Sequence, residues 1–98
     1  MKAIDLAEQL LKNMVLEYAK KGNKVFGIRY LENEFPEESH QKIEDALSLL
    51  KTDGLIRTQK VRQAIFVVTL SPEGIRNYKE NPLFKRGYTL MEEIKSLL

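Results

Sequence analysis

At Gly54 the spacing of apolar residues changes period, and this change constrains the fold more than any other feature of the chain. Before it, Ile43, Ala46, Leu47 and Leu50 recur every three or four residues, the period of a helix buried along one face, and Ser39 is placed to cap its start. After it, Leu55 to Lys60 and Ala64 to Leu70 are rich in β-branched and aliphatic residues, and only Val61-Arg62-Gln63 separates them, a spacing suited to a hairpin. That intervening stretch has no glycine, so its turn geometry is open. A chain of 98 residues has room for one core, so the helix and the hairpin must share it. The expected class is α+β, mostly helical, in a single domain over residues 1–98.

The rest of the chain is read by the same periodicity. Ile4, Ala7, Leu11, Met14, Val15 and Tyr18 form a stripe along a first helix. Asp5 with Glu8 resembles a capping box at its start, and Lys20, Lys21 and Gly22 suit its end. Lys24-Val25-Phe26 is either a single added strand or an anchored loop. Ile28, Leu31 and Phe35 predict a second helix of about two turns that ends at Pro36. The third helix runs from the Ser39 cap to Gly54. Ser71-Pro72-Glu73 opens a short fourth helix that ends near Asn81-Pro82, with Ile75 and Tyr78 on its inner side. Thr89 and Glu92 begin an amphipathic C-terminal helix over 89–98.

Composition excludes several classes of function. Hydrophobic residues make up 43% and charged residues 31%, too apolar for a chain that stays disordered. No apolar run approaches the roughly 18 residues that span a bilayer, and no signal-peptide pattern opens the chain, so the expected location is cytoplasmic. There is no cysteine, and the one histidine, His40, cannot hold a metal by itself, so neither metal nor cofactor is expected. Ser39 and His40 are neighbours on a helix start and do not face one another as nucleophile and base. Gly22 and Gly27 do not form a phosphate loop, and no enzymatic activity is expected.

The order helix, helix, helix, two-stranded hairpin, helix resembles the winged helix-turn-helix superfamily over residues 4–80, with Ser39, Ile43, Leu47, Leu50 and Gly54-Leu55-Ile56 carrying the sharpest likeness. Leu70-Ser71-Pro72-Glu73-Gly74 is similar to the strand-to-helix junction of bacterial regulators of the MarR and PadR types. The resemblance implies three helices, a two-stranded wing and additional C-terminal helices. It also implies binding of duplex DNA in transcriptional regulation, with helix 39–53 in the major groove and hairpin 55–70 on the backbone.

The residues read in two ways against that implication. Ser39, His40, Gln41, Lys42 and Ser48 would face DNA from the third helix: Gln41 suits adenine, Lys42 guanine or phosphate, and Ser39 a phosphate. Glu44 and Asp45 oppose it, and residues 37–54 hold five acids against two lysines. The alternatives are a solvated acidic face, or a protein-interaction module that uses this acidic helix. The wing is the more basic element, since residues 55–63 hold Arg57, Lys60 and Arg62 and no acid. Strand alternation puts Arg57 and Lys60 on opposite faces unless the hairpin twists or bulges, and all three charges would equally serve solubility and edge protection. The stripe Leu90, Met91, Ile94, Leu97 and Leu98 is too apolar to leave exposed, and is expected either to form a dimer interface or to pack on the first helix.

Overall fold

In the computed structural model, which describes residues 1–77, the chain forms four helices and one three-stranded antiparallel sheet. The first helix, α1, spans Ala3–Lys21 and buries Leu6, Ala7, Leu10, Leu11, Met14 and Val15. This face is rotated from the expected stripe toward Leu6 and Leu10, so Ile4 lies outside it, 44% exposed. Its N-cap is Lys2, with no side-chain cap, and Asp5 sits in the first turn. Asp5 therefore complements the helix dipole and does not cap. Gly22 closes the helix in the left-handed conformation at φ 71°, which glycine adopts with least strain.

Of the two alternatives open at residues 24–26, the structure has the added strand, shifted by one residue to β1, Val25–Gly27, so that the expected two-stranded hairpin is part of a three-stranded sheet of order β1-β3-β2. The antiparallel partner of β1 is β3, Ala64–Leu70, with Val25 opposite Thr69 and Gly27 opposite Val67. Two interactions secure this strand. The Leu70 amide donates to the Lys24 carbonyl at 2.8 Å, and Phe26 is buried in the core. A three-residue segment has too little pattern to announce such pairing by itself.

Helix α2, Ile28–Glu34, follows without a gap and buries Leu31, while Ile28 and Phe35 pack on the edge of the core. Helix α3, His40–Thr52, is capped as expected, the Ser39 hydroxyl accepting from the Lys42 amide at 3.1 Å. Its C-terminus is closed by a Schellman arrangement. The Leu55 amide donates to the Leu50 carbonyl, the Gly54 amide to the Lys51 carbonyl, and Gly54 sits at φ 75°. Leu50 and Leu55 are both buried, which supplies the apolar contact that accompanies this motif.

Strand β2, Ile56–Val61, pairs with β3 from Ile56 opposite Leu70 to Val61 opposite Ala64. The register slips where Gln59 faces Val67 but Lys60 faces Ile65, so Phe66 is an extra residue in β3. This bulge explains the burial pattern. Leu70 and Val68 point inward at even positions, and the next inward residue is Ile65, at an odd one. The turn is formed by Arg62 and Gln63 at φ 52° and 68°, both left-handed, the geometry of a two-residue hairpin of type I′. Helix α4, Pro72–Asn77, is held by Ser71, whose hydroxyl donates to the Gly54 carbonyl at 2.7 Å and accepts from the Gly74 amide at 2.9 Å. The expected end of this helix near Asn81, Tyr78 on its inner side, and the helix over 89–98 with its apolar stripe lie outside the described residues.

Candidate functional site

The exposed side of α3 is where the sequence places its polar candidates, and the structure divides them. Gln41, Asp45 and Ser48 share one exposed stripe, with the Gln41 amide donating to the Asp45 carboxylate at 2.9 Å. Lys42 is drawn away from that stripe, its ammonium donating to the Met1 carbonyl at 2.8 Å. The Ser39 hydroxyl is engaged in its cap. Of the five candidates, Ser39, His40, Gln41 and Ser48 are exposed and Lys42 is half-buried, with the Ser39 hydroxyl held in the cap.

His40 lies at the centre of a small polar network that ties three elements together. Its Nδ1 is 2.5 Å from Glu32 Oε1 on α2, and its Nε2 is 3.6 Å from Glu44 Oε1 one turn further along α3. The same Glu44 oxygen accepts from the Ile65 amide of β3 at 3.2 Å. Glu44 is therefore turned toward the hairpin backbone and the imidazole, and is half-buried. The hydrogen bond to Glu32 raises the His40 imidazole above its usual value near 6.5; lost hydration opposes the rise, and the charges of Glu32 and Glu44 add to it. No spacing rule announces this network, because Glu32 and His40 belong to different helices.

The β2–β3 hairpin carries Arg57, Lys60 and Arg62, all exposed. The bulge belongs to β3, so β2 keeps its alternation, and Arg57, opposite Thr69, is on the other face from Lys60, opposite Ile65. Arg62 occupies the turn itself. The three cations are thus spread around the hairpin and do not form one flat patch.

Between α2, the start of α3 and β3 lies a cleft of about 520 Å³, lined by Gly27, Ile28, Arg29, Glu32, His40 and residues 64–67. Two of its residues escape a reading of the sequence. Arg29 takes its place from the short α2, and Phe66, 59% exposed, is turned outward by the bulge. Among the described residues no helix is long and apolar enough to cross a membrane, and no three His, Asp or Glu side chains gather to hold a metal ion. Compared with protein-family models, curated proteins and solved structures, the chain gives no match.

Proposed function

We propose that the chain is a winged-helix domain that binds duplex DNA as a transcriptional regulator, with α3 in the major groove and the β2–β3 hairpin on the phosphate backbone. The observation that carries this reading is the hairpin. Its tip presents Lys60 and Arg62, with Arg57 on the opposite face of β2 and no acid between them, and Arg62 sits in a left-handed backbone conformation that asparagine or glycine would adopt with less strain. Strain retained at an exposed cation favours a role for that side chain. Element order supports the same reading, since a helix, a short strand, two helices and a hairpin, in a sheet of order β1-β3-β2, set α3 beside the wing.

Glu44 and Asp45 are the electrostatic objections; Asp45 stays exposed and accepts from the Gln41 amide, while the placement of Glu44 reduces its share. Because its carboxylate serves the Ile65 amide and faces His40, it does not stand toward solvent as an open acid. The same placement weakens the alternative of a protein-interaction surface built on the acidic face of α3. His40, Gln41 and Ser48 are the side chains we assign to base edges and neighbouring phosphates. Dimerisation through Leu90, Met91, Ile94, Leu97 and Leu98 is part of the proposal and is checked by the mass in solution.

The test is fluorescence anisotropy of labelled random duplex DNA titrated with the full chain at 50 and 200 mM salt. Three phosphate contacts give a log–log salt slope of about −2.7, which over that fourfold range is a change of about 40-fold in affinity. Changing Arg57, Lys60 and Arg62 together to Ala should remove that part of the salt dependence. A slope unaltered by the triple substitution, in a protein that still folds, would refute the wing assignment, and no binding at 50 mM salt would refute the function.

A further inference from the structure

We infer that His40 is a proton-operated clasp joining α2, α3 and β3, which holds the hairpin to α3 while its imidazole is charged and slackens, with a loss of duplex affinity, when the proton leaves. The effect on DNA rests on the duplex-binding function proposed above, whereas the clasp is a property of the free protein.

Each ring nitrogen of His40 faces a carboxylate oxygen, Nδ1 that of Glu32 on α2 at 2.5 Å and Nε2 that of Glu44 on α3 at 3.6 Å. A neutral imidazole carries one N–H and one lone pair, so it serves only one of the two acids, whereas the imidazolium presents an N–H to each. The arrangement therefore suits the charged ring. The second acid is shared with the sheet. Glu44 Oε1, the oxygen that faces Nε2, also accepts from the Ile65 amide at 3.2 Å. That amide stands where the sheet is open, since β1 ends at Gly27, opposite Val67, and has no residue opposite Ile65. Glu44 takes the place of the missing strand partner, and it joins the hairpin to α3 at the point where the imidazole joins α3 to α2.

The charges that act on the ring are those of Glu32 and Glu44. Arg29 of α2 lines the same cleft as His40 and Glu32. On α3, Lys42 is turned to the Met1 carbonyl and Asp45 to the Gln41 amide. Strand β3 brings residues 64–67 to the cleft, none of them ionisable, and β2 places Lys60 opposite Ile65. When the proton leaves, the remaining N–H stays on Nδ1 toward the nearer Glu32, and the Nε2 lone pair is set against the Glu44 carboxylate. That contact turns repulsive, and the half-buried Glu44 is released from the Ile65 amide toward solvent. The charge at the start of α3 changes as well: two carboxylates with one imidazolium carry −1, and two carboxylates with a neutral ring carry −2. Both changes oppose a duplex, the first by loosening the hairpin against α3 and the second by repelling phosphate. Binding therefore weakens as pH rises.

Two measurements on the full chain test the inference. In the free protein, NMR follows the Ile65 amide between about pH 5.5 and 8.5, the range in which an imidazole titrates. The amide shift should inflect at the midpoint of the His40 ring, and both His40→Gln and Glu44→Gln should abolish that inflection, with circular dichroism verifying that each variant is folded. Over the same range, fluorescence anisotropy at low salt should show the duplex affinity of the parent falling about two- to fivefold, the scale of one exposed ion pair, and that of His40→Gln unchanged. The variant keeps the Met1 amine, which pairs with Glu38 just before α3, so a fall that persists in it overturns the role of the ring. An Ile65 amide indifferent to the ring titration would overturn the clasp, and an affinity that still followed the ring would then make His40 a direct phosphate contact. A titrating amide with constant affinity would overturn the coupling to DNA. Absence of duplex binding at every pH would refute the function proposed above, while the amide titration still decides the clasp.

Discussion

Gly74→Ala should destabilise the fold by about 2–4 kcal/mol, although it places a better helix former in a helix. A Cβ built at Gly74 lies 2.2 Å from the Leu55 carbonyl oxygen, 3.1 Å from the Leu55 carbonyl carbon and 3.2 Å from a Leu70 methyl. The first of these is about 1 Å inside an ordinary carbon–oxygen approach and involves backbone at the helix-to-sheet junction, which cannot swing aside as a flexible side chain would. Relief requires α4 to lift. That movement stretches the Ser71 amide bond to the Leu55 carbonyl, now 3.1 Å, and the Ser71 hydroxyl bond to the Gly54 carbonyl, now 2.7 Å. Two such bonds contribute about 2 kcal/mol, and overpacking against Leu70 adds about 1–3. The gain in helix propensity offsets about 1. Urea denaturation followed by circular dichroism measures the difference. Gly27→Ala is the control: Gly27 sits at φ −73° with nothing within 4 Å of its Cβ position, and the same substitution there should be neutral or stabilising by up to about 1 kcal/mol. A Gly74→Ala protein within about 0.5 kcal/mol of the parent would refute the close approach of α4 to Leu55.

Three further outcomes are expected. Because the folded-state value of His40 is raised, its contribution to stability is present in full below the ordinary imidazole value near 6.5 and is lost as pH rises through the folded value. The stability difference between the parent and His40→Gln should therefore shrink above that range, and an NMR titration midpoint at or below 6.5, or one unmoved by Glu32→Gln, would contradict the network. Gln63→Gly should stabilise by about 0.5–1 kcal/mol in thermal or urea melts, since a left-handed residue at φ 68° loses its Cβ strain while Arg62 is left in place. The Thr58 hydroxyl oxygen is buried with no hydrogen-bond partner among the described residues, so Thr58→Val should be neutral or stabilising by up to about 1–2 kcal/mol, and a loss of stability would point to a missed partner.

Sequence alone determined those parts of the protein that depend on neighbours a few positions away. The Ser39 cap, the left-handed closures at Gly22 and Gly54, the start of α4 at Ser71-Pro72 and the inward face of α3 all follow from local hydrogen bonds and a fixed helical period. These could be located without knowledge of the rest of the chain. Tertiary structure decided what depends on distant partners. Val25–Gly27 is a strand because β3 offers it an edge and the core accepts Phe26, neither of which is written in three residues. Glu44, an objection to DNA binding when read along the helix, faces inward because the Ile65 amide lies within reach. The bulge turns Phe66 outward, although the β-rich run Ala64 to Leu70 marks only a strand. A bulge depends on pairing between two strands, and a cleft on the packing of three elements, so their chemistry emerges only when residues far apart in sequence are brought together.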